Sequence, residues 1–130
     1  MLVITPTRGL LDPETILTFD TLCEFAKVNN AEQGERFLAP LARDAQELAA
    51  ASGRAHAILL GSIATDKYVS TLAAAFGDRL RFPAEFVGRG DMSRGGLLLR
   101  SVRDSRELAY LPVAGAIRRG ARPPKLIPVR

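Results

Sequence analysis

The chain has 130 residues, 47% of them apolar and 25% charged, which is the balance of one globular domain and excludes a disordered segment. A single cysteine, Cys23, rules out an internal disulfide and favours a reducing, cytoplasmic setting, and no apolar run nears the ~20 residues that span a bilayer. Charge is uneven: residues 1–65 hold five Lys/Arg against eight Asp/Glu, and residues 66–130 hold thirteen against six, which favours an anionic partner for the second half.

Leu2-Val3-Ile4-Thr5, β-branched and closed by Pro6, reads as a first strand. A loop follows, and Asp12 is placed to cap a helix with Pro13 as its first residue, running to Val28. Phe37, Leu38, Leu41, Ala45, Leu48 and Ala49 recur at spacings of three and four, so a second helix is expected over 36–51, with Pro40 in its first turn and Gly53 as its stop. Ala55 to Ser62 carries an unbroken apolar run suited to a buried parallel strand in the same sheet as 2–5. A third helix is expected over 66–76, with Tyr68, Val69, Leu72, Ala73 and Phe76 inward and Gly77 ending it. Leu80 to Phe82 leads a third strand interrupted by Pro83. Leu97–Val102 and Leu108–Val113, joined by the polar Arg103-Asp104-Ser105-Arg106, read as an antiparallel hairpin.

These elements predict an α/β fold: a small, mainly parallel sheet flanked by helices, with a C-terminal antiparallel hairpin. Residues 1–117 form the single domain, and 118–130, rich in Arg, Pro and Gly, form a basic extended tail. So small a sheet leaves open edges, which predicts a homodimer or a partner chain, or membership of a longer protein.

Two stretches carry the groups that suit chemistry. Gly88-Arg89-Gly90-Asp91-Met92-Ser93-Arg94-Gly95-Gly96 joins strand-like runs and combines close-approach glycines with two planar guanidinium forks. It lacks the Gly-Lys-Ser/Thr ending of a phosphate-binding P-loop and the third glycine of a dinucleotide fingerprint. Gly61-Ser62-Ile63-Ala64-Thr65 stands at the carboxyl end of the most apolar strand, where ligands of open α/β sheets bind and a helix start favours an anion. A phosphate site would draw on Gly61, Ser62, Thr65, Arg89, Gly90, Ser93, Arg94, Gly95 and Gly96. The plainer alternatives are that Ser62 or Thr65 caps a helix, and that Arg89 or Arg94 pairs with Asp91 at the surface.

Asp91 is the leading acid–base candidate, ahead of Asp12 and Glu85, and His56 stands at the wrong end of its strand for catalysis. One histidine and one cysteine, far apart, support neither a zinc site nor a Cys–His pair, and no cofactor is indicated. The expected function is binding, with or without processing, of a nucleotide or other phosphate-bearing small molecule, or of nucleic acid, at the carboxyl edge of the sheet. The alternative is a non-catalytic subunit whose basic half docks a protein or nucleic-acid partner.

Thr5-Pro6-Thr7-Arg8-Gly9-Leu10-Leu11-Asp12-Pro13, followed by Gly61-Ser62 and then Gly90-Asp91-Met92, resembles bacterial α/β proteins related to the peroxide-stress-response family, over residues 3–13 and 56–100. There a strand leads into a Gly-Leu-Leu-x-Pro loop, and a late glycine-containing loop follows a further strand. The resemblance implies that loop 5–13, with Arg8, faces the same crevice as 61–65 and 88–96.

Overall fold

Leu80–Pro83 is the strand on which the rest of the chain is arranged. In the computed structural model, which describes residues 1–28, 34–64, 66 and 68–128, Leu80 and Phe82 are almost fully buried. Each such side chain contributes ~1.5–3 kcal/mol relative to exposure. The chain runs β1 (Val3–Ile4), β2 (Leu10–Leu11), α1 (Phe19–Lys27), α2 (Glu35–Ala51), β3 (Ala57–Ile58), α3 (Val69–Phe76), β4 (Leu80–Pro83), α4 (Asp91–Arg103) and β5 (Tyr110–Pro112). No helix of the described residues is long and apolar enough to cross a membrane.

The fold is mixed α/β with two small sheets. β3 and β4 are parallel, with Ala57 opposite Leu80, while β5 is antiparallel to β4, with Phe82 opposite Leu111. The sheet is therefore mixed and not mainly parallel. β1 pairs only with β2, antiparallel, so residues 2–5 and 56–62 lie in different sheets, contrary to expectation. The cause is local. The Thr5 N–H and hydroxyl both reach the Gly9 carbonyl at 2.9 Å, closing a tight turn, and closing a short loop costs less entropy than a long-range pairing. Asp44 of α2 then accepts the Leu10 N–H at 2.9 Å and ties this hairpin to the core.

α2 matches its apolar stripe: Phe37, Leu41, Ala45 and Ala49 are buried, packed with Val69, Leu72 and Phe76 of α3 over the Leu80/Phe82 face. Because α2 begins at Glu35, Pro40 falls in its second turn and not its first. The first helix is shorter than expected. Asp12 accepts the Glu14 N–H at 2.8 Å in a local turn, and the cap is Thr18, whose hydroxyl accepts the Thr21 N–H at 3.2 Å.

The predicted C-terminal hairpin is absent: its first arm is the helix α4 and its second, β5, pairs with β4. Arg94, Leu97, Leu98 and Ser101 face inward at helical spacing, whereas Leu99 and Val102 are exposed. Asp91 in the first turn and Arg100 and Arg103 in the last complement the helix dipole. Beyond β5 the chain forms no helix or strand to residue 128, but it does not leave the surface. Arg100 donates to the Ile127 carbonyl, and Leu126 packs on the core beside Gly96.

Candidate functional site

β3 and β4 run parallel, so their carboxyl ends open on the same side. From β3 the chain continues through Leu59, whose N–H donates to the Arg81 carbonyl at 2.8 Å, to Ser62. From β4 it passes a helical turn at Ala84–Phe86 and reaches Gly90, which precedes the first residue of α4. Between these two segments lies a cavity of about 330 Å³, lined by Ser62–Ala64, Phe86, Gly88–Gly90, Arg94, Arg118–Gly120 and Arg122. Gly88 has φ +76°, and a Cβ there would collide with the Ala121 carbonyl, so only glycine lets the C-terminal segment cross at this point.

Five arginines line the cavity, and four of them are held by the fold. The Arg89 Nε donates to the Glu85 carbonyl at 2.7 Å, and its terminal nitrogen to the Ser93 hydroxyl at 3.1 Å. Arg94, with a side chain only 11% exposed, donates to the Arg89 carbonyl at 2.7 Å and pairs with Asp91. Arg118 binds Asp66 at 2.8 Å and the Ile63 carbonyl at 3.3 Å, while Arg119 donates to the Ala64 carbonyl at 2.7 Å. The last two latch the C-terminal segment to the loop that follows β3. Arg122 has no hydrogen bond or ion pair among the described residues.

The expected site residues divide. Ser62, Arg89, Gly90 and Arg94 line this one cavity, though they come from loops almost thirty residues apart in the chain. Ser93 stands behind the wall as a support for Arg89. Gly95 and Gly96 lie inside α4, where their amides follow the first helical bond, Arg94 N–H to Gly90 C=O, and so belong to the helix ladder. Thr65 lies outside the described residues. Asp91 is not in the lining: its side chain is 92% exposed and its partner is Arg94. Neither Ser62 nor a neighbouring hydroxyl among the described residues caps α3, which starts only at Val69.

Gly61 and the 5–13 loop belong elsewhere. Thr5, Pro6, Leu10 and Gly61 line a second, apolar cavity, and Arg8 pairs with Glu24 at 3.0 Å. Tyr68 lines the apolar cavity beside Gly61. Its phenol oxygen lies where a Cβ on Gly61 would be 2.5 Å away, and burial pushes its ionisation up, opposed by a hydrogen bond from the Ser62 backbone. The arginines that sequence reading left out of the site are Arg118, Arg119 and Arg122, because a Pro/Gly-rich terminal run reads as an extended tail. The available signal was the density of arginine itself, far above what a spacer needs.

No protein-family model, no curated protein and no solved structure matches this chain.

Proposed function

We propose that the chain binds a nucleotide or other phosphate-bearing ligand in the arginine-lined cavity at the carboxyl ends of β3 and β4. The observation that carries this reading is the gathering of five guanidinium groups around one cavity, with no acidic residue among the described residues that line it. Arg94 and Arg118 have carboxylate partners in Asp91 and Asp66, whereas Arg89, Arg119 and Arg122 have none among the described residues, and an entering anion relieves their mutual repulsion. Guanidinium forks match phosphate oxygens two at a time. Gly90, at the positive end of the thirteen-residue α4, adds a wall that favours negative charge. The role supported is binding, not proton transfer: among the described residues the lining holds no Asp, Glu, His or Cys, and Asp91 faces solvent.

Arg122 is the arginine to test, since among the described residues it has no hydrogen-bond or ion-pair partner to lose. Melting curves of the wild-type chain with inorganic phosphate, mono- and triphosphate nucleotides and a short oligonucleotide would show which stabilises it. A ligand at 100 times its dissociation constant adds ~2.7 kcal/mol. Arg122→Ala should melt like the wild type without ligand. It should bind roughly tenfold to hundredfold more weakly, since a charge-assisted contact contributes ~1.5–3 kcal/mol. If no phosphate-bearing compound shifts the wild-type melt, the reading is wrong.

A further inference from the structure

The second cavity, about 860 Å³, lies where the two sheets fail to join. β1, whose other edge is taken by β2, and β3, whose other edge is taken by β4, both line it. Along an extended chain the N–H and C=O of successive residues point to alternate sides. The Thr5 N–H bonds the Gly9 carbonyl across to the β2 side, so the backbone groups of Ile4 point away from β2. The Leu59 N–H bonds Arg81 of β4, so those of Ile58 point away from β4. No strand of the described residues pairs with either free edge. Both edges thus offer unpaired backbone donors and acceptors to the one cavity.

The side chains say the same. Leu2, Val3, Ile58 and Leu60 line the cavity and stay 39–45% exposed, although each is a large apolar residue. No charged side chain of the described residues lines it; Thr5 and Tyr68 are its polar members.

We infer that this cavity is a slot for an extended, uncharged, apolar segment of another protein, which inserts between β1 and β3 and joins the two sheets into one. Two free backbone edges in one cavity select a β-strand over a helix or an acyl chain, since neither of those brings donors and acceptors to both. They also select a foreign segment over a folded second copy. Among the described residues β1, β2, β3 and β5 each have one edge already occupied and β4 has both, so a strand of a docked copy could satisfy one free edge only. About five residues, the usual length of a strand, would fill the slot. The site is separate from the arginine cavity and does not depend on a phosphate ligand.

The test is a nitrogen–proton NMR titration of the full chain with acetyl-Thr-Val-Ile-Val-Thr-amide, up to millimolar peptide. Two further peptides are compared, one N-methylated at both valines and one at the isoleucine and last threonine, so that each loses two backbone donors on one edge. The parent peptide is expected to slow amide hydrogen exchange at Ile4 and Ile58, and each methylated form to bind at least tenfold more weakly. Absence of binding, or equal binding of all three peptides, would overturn the inference, the latter because it marks a merely greasy groove. Concentration-dependent protection of Ile4 and Ile58 without peptide, together with a dimer mass in sedimentation, would overturn it in favour of self-association.

Discussion

Arginine in this protein has two separate jobs, which individual residues distinguish. Arg79 is a fastener. Its guanidinium donates to the Ala49, Gly53 and Ala55 carbonyls at 2.9, 2.5 and 3.3 Å and to the Ser52 hydroxyl at 3.2 Å, and it lies 5.5 Å from the Phe76 ring centroid. It closes the C-terminal end of α2, where carbonyls lack helical partners and the dipole favours a cation. Arg79→Ala should destabilise the chain by about 1.5–3 kcal/mol, measured by urea unfolding, because several carbonyls lose a charged donor together. A change within 0.5 kcal/mol would show that water replaces the guanidinium without loss. Arg94 is also structural in part, since it is nearly buried and holds the Arg89 carbonyl. Replacing Arg94 would therefore disturb the fold as well as the cavity, and Arg122 is the cleaner probe.

At the level of elements, α2 was readable because six apolar residues keep one helical period over three turns. α4 was not, because Gly95-Gly96 imitate a loop and Leu97-Leu98-Leu99 imitate a buried strand. The better clue was electrostatic, an acid at the first turn and arginines at the last, with residues 94, 97, 98 and 101 at helical spacing. Gly95 tests the assignment. It is exposed, and a Cβ there meets nothing within 4 Å. Gly95→Ala should raise stability by about 1 kcal/mol, the usual difference between the two residues inside a helix. That corresponds to a melting temperature roughly 4 °C higher. A lower melting temperature would mean that the residue needs a backbone conformation alanine cannot take.

Across the whole molecule, the loops after β3 and β4 meet as their place in an α/β plan predicts, because parallel strands deliver their carboxyl ends to one edge. What pattern reading could not supply is the return of residues 118–122 to that edge, since it depends on tertiary contacts such as Arg119 to the Ala64 carbonyl. The separation of β1 from β3 is likewise set by pairing and not by composition. The hairpin that β1 forms is held to the core by a titrating group. Hydrogen bonds from the Arg43 side chain and then from the Leu10 backbone keep the Asp44 carboxyl below the usual carboxylate range. A carboxyl whose folded pKa is depressed contributes stability that is complete above its unfolded value, near 4, and is lost as pH falls through the folded value. The Leu10 amide should therefore exchange faster as pH drops below about 4, after correction for intrinsic rates, and Asp44→Ala should remove the pH dependence at that amide. An acid-insensitive Leu10 would show that the hairpin is held by other contacts.

We propose that an anion enters between the loop after β3 and the start of α4. This is tested most directly by following backbone amides while the wild-type chain is titrated with ATP and, separately, with inorganic phosphate. The account predicts saturable shifts at Ser62, Ile63, Gly88 and Gly90 and along 118–122, weakened in Arg122→Ala, with Ile4 and Ile58 unmoved. Shifts confined to the apolar cavity, or none at saturating ligand, would contradict it.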